Sequence, residues 1–213
     1  MRAAVPRRLA IAALAVLIGA ASAALPRTAA AQTTLTLYMG YMGSDGIYDA
    51  ATDASVSIRS TGMFALAAGY VLDAGREVQL MYAQQATTLE PGNGVAPFDM
   101  TVRYLHLGGT VFFDGPIGTK PGQHGGYVAG GLGLTQFSPS YTGYDSAVRP
   151  SLNLGLGYYW PLTENVALRA EGRVFITLVN SSGDFLCAGG CVVALKSDFV
   201  AQYAGMLGIT GRF

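Results

Sequence analysis

The sequence predicts an all-β protein, an eight-stranded antiparallel up-and-down transmembrane β-barrel, from three observations. Residues 199–213 alternate apolar and mixed polar positions over at least the ~9 to 11 residues that a membrane-crossing strand needs. Glycine and aromatic residues abound and charges are few, yet no apolar run after residue 31 is long enough for a spanning helix. The amino terminus carries the features of an export signal. A soluble sandwich strand could alternate in the same way, but the alternation runs to a terminal Phe213, which favours the membrane interpretation.

Residues 1–31 are typical of a cleaved signal peptide. A basic start is followed by an apolar segment and then by small residues, in the order Arg2, Arg7, Arg8 and residues 9–18. Two A-x-A cleavage sites are present, at 21–23 and 29–31, and we expect cleavage before Gln32 because residues 24–31 show no strand pattern. A retained anchor is the alternative, but it needs about 18 apolar residues and Pro26 and Arg27 interrupt earlier. The expected organisation is therefore a signal peptide at 1–31 and a barrel at 32–213.

The charge balance of the expected barrel argues against a nucleic-acid partner. Residues 1–31 hold four Arg and no acid, which leaves nine basic and thirteen acidic side chains in residues 32–213. The barrel then carries a net charge of about −4, the wrong sign for binding phosphate backbones.

Turn residues divide the rest of the chain into eight strand candidates. They are residues 34–43, 57–72, 77–88, 99–113, 127–137, 151–160, 166–178 and the terminal segment. An even number lets the first and last strands pair, so that no sheet edge remains. With the amino terminus in the periplasm, the connections predicted on the periplasmic side are 73–76, 114–125 and 161–165. Those predicted on the outer side are 44–56, 88–97, 138–149 and 179–198.

Charged residues on the seventh predicted strand indicate a polar lumen. Arg169, Glu171 and Arg173 share one face, and an Arg facing lipid at the bilayer midplane costs roughly 2 to 4 kcal/mol. A barrel of eight strands is only wide enough for side chains. The predicted lumen network comprises Glu77, Gln79, Gln85, Asn153, Arg169, Glu171, Arg173, Gln202 and Arg212. It either consists of structural ion pairs or conducts ions or protons, and both interpretations stay open.

Within that network, we expect Glu171 to be the main counter-charge. Neighbours on one face of a strand are about 6 to 7 Å apart, so Glu171 is predicted to pair across strands rather than with Arg169 or Arg173.

The fourth predicted strand changes character midway along one face. Either a bulge lies near Tyr104, or the outer third of the strand projects beyond the membrane. Projection is favoured, and it places Tyr104, His106 and Thr110 in the lumen, with His106 as a hydrogen-bonded filler.

Aromatic residues near the strand ends suggest two interfacial belts. The inner belt is predicted to contain Trp160, Phe113 and Phe213, and the outer belt Phe137, Tyr141, Phe175, Phe199 and Tyr203.

Cys187 and Cys191 are predicted to form a short disulfide loop, since only three residues, two of them flexible glycines, lie between them in an exported chain. A metal site is the alternative, but it would need further soft ligands nearby, and none is visible. We expect no metal, no cofactor and no catalytic residue.

Four segments carry a resemblance to a known family. Residues 104–110, 126–133, 184–191 and 212–213 resemble the outer-membrane β-barrel domain proteins of proteobacteria, which are similar in architecture to the OmpA transmembrane domain and to OmpX. The resemblance implies an integral outer-membrane location and a role for Phe213 as the signal for insertion. It also implies outer-membrane lipids including lipopolysaccharide and the barrel assembly machinery as partners, with a monomeric protein.

Three classes of function follow from these observations. The first is a non-enzymatic barrel whose outer loops serve surface interaction or envelope integrity. The second is a narrow channel or conduit for small molecules, similar to OmpW. The third is a lipid A modifying enzyme, which needs a nucleophile and a His near the outer leaflet, and neither His106 nor His124 is well placed for that.

Overall fold

The computed structural model describes residues 33–44, 47–48, 55–73, 75–90, 96–113, 124–140, 146–179, 185–187, 191–193 and 199–213. The predicted signal peptide lies outside these residues. The strands are β1 (Thr33–Ser44), β2 (Ile47–Tyr48), β3 (Ser55–Ile58), β4 (Thr61–Asp73), β5 (Arg76–Glu90), β6 (Phe98–Phe112), β7 (Gly125–Pro139), β8 (Ala147–Pro161), β9 (Val166–Leu178), β10 (Phe185–Cys187), β11 (Cys191–Val193) and β12 (Phe199–Arg212). In this part of the chain, no helix is both long and apolar enough to cross a membrane.

Eight of the strands form a closed antiparallel barrel, which confirms the predicted fold class. The ring runs β1, β4, β5, β6, β7, β8, β9 and β12, and each strand pairs with both of its neighbours. Closure is made by β1 and β12, from Thr34 opposite Arg212 to Ser44 opposite Gln202. Phe213 extends this seam, since its N–H donates to the Thr33 carbonyl at 2.9 Å.

The two ends of the barrel differ in their connections. Residues 74–75, 113–124 and 162–165 join strands at the end that we call the turn end. Residues 45–60, 91–97, 140–146 and 179–198 join strands at the opposite end, the loop end, and carry the small pairs β2–β3 and β10–β11. The connections 74–75 and 162–165 at the turn end are short and the two longest connections, 45–60 and 179–198, lie at the loop end, as in bacterial outer-membrane barrels, whose short turns face the periplasm. The connection 113–124 departs from this asymmetry, since it is longer than 91–97 and 140–146 at the loop end.

Two predicted strand boundaries are wrong. The second predicted strand is split into β3 and β4, because Arg59 and Ser60 interrupt it. Ile58 lies opposite Leu89 and Met63 opposite Gln85, so one extra residue is accommodated on the β3–β4 side, which is the geometry of a bulge. The predicted start of the sixth strand is too late. β8 begins at Ala147, four residues before Ser151, and its residues 147–150 pair with residues 134–137 of β7 at the loop end.

The barrel has an inverted distribution of polarity. Charged and amide side chains are buried inside, whereas large apolar side chains on every strand of the ring are exposed outside. Examples of the exposed set are Leu37, Met39, Phe64, Leu80, Leu107, Leu132, Leu156, Leu168 and Leu207. A water-soluble protein arranges its side chains the other way, so this exterior is suited to lipid.

The predicted aromatic belts are only partly correct. Trp160, Phe113, Phe213, Phe199 and Tyr203 face outward, and Tyr141 lies outside the described residues. Phe137 and Phe175, in contrast, are fully buried inside the barrel. Strand parity is the reason, because Phe175 shares its face with the charged residues of β9 and Phe137 shares its face with Tyr127 on β7.

Candidate functional site in the barrel interior

The layer of the interior nearest the turn end is built on an ion pair that spans the barrel. Arg169 on β9 donates through Nη2 to Oε2 of Glu77 on β5 at 2.8 Å. The other carboxylate oxygen of Glu77 accepts a hydrogen bond from the Thr34 hydroxyl. The Arg169 guanidinium also lies over two aromatic rings, 5.5 Å from the centroid of Tyr127 and 5.4 Å from that of Tyr159. Cation–π contact and charge pairing therefore hold the same side chain.

A glycine makes room for this pair. Gly69 on β4 lies between Thr34 and Gln79 in the sheet register and faces the interior. A Cβ at this position would overlap the Glu77 carboxylate and the Thr34 hydroxyl. The sequence therefore needs a residue without a side chain at position 69 for Glu77 to reach Arg169.

The next layer is built around Glu171. Its Oε1 accepts from Nε of Arg173, and its Oε2 accepts from the Tyr127 hydroxyl at 2.8 Å and the Tyr38 hydroxyl at 3.2 Å. Arg173 lies on the same strand, so the expectation that Glu171 pairs only across strands is wrong. One residue, Gly172, lies between Glu171 and Arg173, and the long Arg side chain bends back over that distance. Three donors around one carboxylate offset the cost of burying it.

Arg173 also crosses the interior. Its Nη1 donates to Oδ1 of Asn153 at 2.9 Å and approaches the Met81 sulfur on the opposite strand β5 at 3.0 Å. A second charged side chain thus spans the lumen above the Arg169–Glu77 pair.

The third layer is neutral. Gln202 donates to Oε1 of Gln85 at 3.0 Å and accepts from the Tyr104 hydroxyl, and Gln85 donates to the Met42 carbonyl at 2.8 Å. Tyr104 and Gln202 lie on β6 and β12, which are opposite each other in the ring. Side chains therefore bridge the lumen at this level as well.

His106 belongs to an aromatic cluster next to this layer. Its Nε2 is 2.8 Å from the Ser151 hydroxyl, and its ring lies 5.8 Å from Tyr104 and 5.7 Å from Phe175 by centroid. The β6–β7 register has no shift near Tyr104, so the strand runs through without a bulge. Nδ1 of His106 has no hydrogen-bond partner among the described residues, so a Ser–His pair is present there without an acidic group to orient the ring.

Two predicted members of the network make fewer contacts. Gln79 and Arg212 are buried in the interior near the turn end. Within the described residues, no hydrogen-bond partner is found for Nε2 of Gln79 or for Nε and Nη2 of Arg212. The structure therefore connects Glu77 with Arg169, Glu171 with Arg173 and Asn153, and Gln85 with Gln202, while Gln79 and Arg212 lie beside these groups.

Sequence reasoning missed the hydroxyl donors Thr34, Tyr38 and Tyr127. Their parity was the available signal: Thr34 and Tyr38 alternate with the outward-facing Leu37 and Met39 on β1. The charged residues of β9 drew attention because charge in a strand is unusual, whereas a tyrosine suits either face.

The loop-end half of the interior is mostly apolar, although it also holds a buried hydrogen bond between the Thr177 and Thr135 hydroxyls at 2.9 Å. Side chains of methionine, valine and aromatic residues fill most of it, and the buried set includes Met42, Met63, Met100, Val102, Phe137, Phe175 and Val200. The interior thus changes from charged near the turn end to mostly apolar near the loop end.

Cys187 and Cys191 are Cα partners in the β10–β11 pairing. Their side chains lie outside the described residues, so the disulfide stays a prediction. In the described part of the chain, no three His, Cys, Asp or Glu side chains come together as metal ligands.

Solved structures share this architecture. Neisserial surface protein A is 15% identical over 85% of this chain and 97% of its own, with a TM-score of 0.57. OprG of Pseudomonas aeruginosa is 14% identical over 85% of this chain and 96% of its own, with a TM-score of 0.53. The outer membrane protein AlkL is 12% identical over 89% of this chain and 94% of its own, with a TM-score of 0.52. No family model and no curated protein matches the sequence.

At these identities the likeness concerns the fold. A closed ring of eight strands, an apolar exterior and a charged interior define a transmembrane β-barrel of the outer-membrane type. The predicted family resemblance and the expected outer-membrane location agree with this class.

Proposed function

We propose that the chain is a non-enzymatic integral outer-membrane barrel whose interior is a structural plug and whose loop-end segments carry its interactions. The observation that carries this proposal is the pair of charged side chains that span the lumen, Arg169 to Glu77 and Arg173 to Met81. An interior occupied in this way at successive levels leaves little room for a substrate or a wide water path.

The charged interior supports a structural role because both of its carboxylates are paired with arginines, while Nε and Nη1 of Arg169, Nη2 of Arg173, and Nε and Nη2 of Arg212 have no hydrogen-bond partner among the described residues. Glu77 and Glu171 each accept from an arginine and from at least one hydroxyl. Breaking such a pair is costly, whereas leaving it intact holds opposite strands together.

The loop-end segments are the natural place for contacts with other molecules. Residues 45–60 and 179–198 are the longest connections, and they contain several aspartates, namely Asp45, Asp49, Asp53, Asp184 and Asp198. On an outer-membrane barrel these segments face the exterior of the cell. We propose surface interaction or envelope integrity as the role of these segments.

A second candidate is a conduit for small apolar molecules. The mostly apolar loop-end half of the interior favours it, since Met42, Met63 and Met100 are unbranched side chains that can rearrange around a guest. Such a guest would enter from the loop end and meet the charged layers below.

Three measurements distinguish the candidates. We expect the purified protein to give no discrete conductance steps in planar bilayers in which a general porin does. We expect lipid A from cells with and without the protein to have the same mass spectrum, and a new lipid A species would contradict the non-enzymatic proposal. Faster uptake of a small apolar compound by cells that carry the protein would favour the conduit.

A further inference from the structure

An arginine on the membrane-facing surface has no acidic partner among the residues that the structure describes. Arg103 on β6 points outward and is half-buried. Its Nη1 donates to the Ser138 hydroxyl at 3.2 Å and contacts Oε1 of Gln136 at 3.5 Å, and both groups are neutral. Arg59, an exposed arginine at the loop end, is in contrast paired with Glu90 at 2.7 Å. Within the described part of the chain, Arg103 thus presents a positive charge that is not paired with an acidic group.

The depth of Arg103 identifies its surroundings. It lies ten residues before the exposed Phe113, which faces outward at the turn end. With a rise of ~3.3 Å per residue and a tilt of ~40°, this spacing corresponds to about 25 Å along the barrel axis. The apolar band of an outer-membrane barrel is about 25 Å tall. Arg103 therefore lies at the upper boundary of the band, at the level of lipid headgroups.

The residues in register with Arg103 change from apolar to polar across this boundary. One row below, Leu105 pairs with Leu134. In its own row, Arg103 lies between Gln84 and Gln136. One row above, Thr101 pairs with Ser138. The patch formed by Gln84, Thr101, Arg103, Gln136 and Ser138, which we call the rim patch, offers one cation and several neutral hydrogen-bonding groups.

Below the rim patch the surface is strongly apolar. Leu107 on β6 and Leu132 on β7 are 62% and 71% exposed, and they are register partners on the outer face of neighbouring strands. Acyl chains fit this surface, and an anionic headgroup attached to them would lie against Arg103.

We propose that the rim patch binds a phosphate of lipid A, the phosphorylated glycolipid of the outer leaflet. An arginine fork matches phosphate oxygens, and the flanking amide and hydroxyl groups match sugar hydroxyls. The loop end faces the outer leaflet, which selects lipid A over the phospholipids of the inner leaflet. This inference rests on the proposed function, since it needs a barrel in the outer membrane.

The test is native mass spectrometry of the folded protein, purified from membranes of an expressing host, with added bisphosphorylated lipid A. We expect Arg103→Gln to weaken lipid A binding about ten-fold, which is the effect of one charge-assisted contact. Arg103→Lys keeps the charge but loses the fork of the guanidinium, so its affinity for lipid A should lie between those of the wild type and Arg103→Gln. Arg59→Gln is the matched control, because that arginine is already paired, and it should bind as the wild type does.

Two further probes separate the possible outcomes. Dephosphorylated lipid A should bind the wild type and Arg103→Gln equally, since the contact with phosphate is gone. An equal loss of phosphatidylglycerol binding in Arg103→Gln would show a general anionic-lipid surface and overturn the assignment to lipid A. The assignment would also be overturned if Arg103→Gln and Arg103→Lys bound bisphosphorylated lipid A as tightly as the wild type does.

Heat-modifiable migration of each variant on a gel reports folding separately. A wild type that does not partition to the outer membrane or migrate in this way would contradict the proposed function itself. A folded wild type whose lipid A binding is insensitive to Arg103 contradicts only the rim patch.

Discussion

Arg169 on β9 and Glu77 on β5 lie on opposite sides of the eight-stranded ring, and their side chains meet at 2.8 Å across the barrel. The two side chains are 1% and 0% exposed. A buried pair between opposite walls links parts of the ring that backbone hydrogen bonds do not link directly. The stability of the closed barrel therefore depends on this pair of buried charges.

Removing one partner of this pair should destabilise the barrel. We expect Glu77→Gln to lower the free energy of unfolding by about 3 kcal/mol, because Arg169 is left as a buried unpaired charge. Urea unfolding in lipid vesicles, followed by the fluorescence of the single Trp160, measures the change. Glu90→Gln is the control: it breaks an exposed pair with Arg59, and its cost should be below about 1 kcal/mol. Equal urea midpoints for the wild type and Glu77→Gln would contradict the role of this pair.

Glu171 should behave as a shared acceptor. We expect Glu171→Gln to cost on the order of 3 kcal/mol, since Arg173 loses its counter-charge. The double variant Glu171→Gln, Arg173→Met should lose less stability than the two single changes predict together, because no buried charge is left unpaired. Strictly additive urea results would show that the two side chains are not coupled.

Gly69 and Gly172 form a matched pair for testing interior space. Gly69→Ala should destabilise the barrel by roughly 1 to 3 kcal/mol, since the added Cβ meets the Glu77 carboxylate and the Thr34 hydroxyl. Gly172→Ala adds a Cβ on the outer face with nothing within 4 Å, so it should be neutral or slightly stabilising. The same urea assay compares them, and a tolerated Gly69→Ala would show that Glu77 can move aside.

The inward position of Phe175 can be tested against a membrane-facing aromatic. Phe175 packs 4.5 Å from the Tyr104 ring by centroid and is fully buried. We expect Phe175→Ala to cost about 3 to 5 kcal/mol through the cavity it leaves. Phe199→Ala, on the exposed outer face, should cost clearly less. Similar losses in unfolding free energy would place Phe175 in an interfacial belt after all.

The cysteines of the last loop-end connection should be oxidised. Their positions as Cα partners across β10 and β11 are compatible with a bond between Cys187 and Cys191. Mass spectrometry of unreduced peptides from acid-quenched protein should show a linked pair, and two free thiols would contradict the prediction. Cys187→Ser with Cys191→Ser should lower the free energy of unfolding by at most about 2 kcal/mol, because so small a ring constrains the unfolded chain less than a long one.

The sequence by itself determined which side chains point inward. Alternation has a period of two residues, so the charges at 169, 171 and 173 must share one face, and lipid excludes that face from the exterior. The turn residues between the alternating segments predict the number of strands, and the even number predicts the pairing of the first with the last. Applied to Phe137 and Phe175, the alternation would have placed both side chains inside. The belt prediction misplaced these two residues because it used only their distance from the strand ends.

Only the tertiary structure decided which inward side chains meet. Glu77 and Arg169 are 92 residues apart, and their contact depends on closure of the ring, on strand register and on the space left by Gly69. The contact between Glu171 and Arg173 depends on side-chain conformation, which a spacing between Cα atoms does not predict. Local periodicity assigns a face to each residue, but register and closure are set by the whole sheet, and they bring particular groups together.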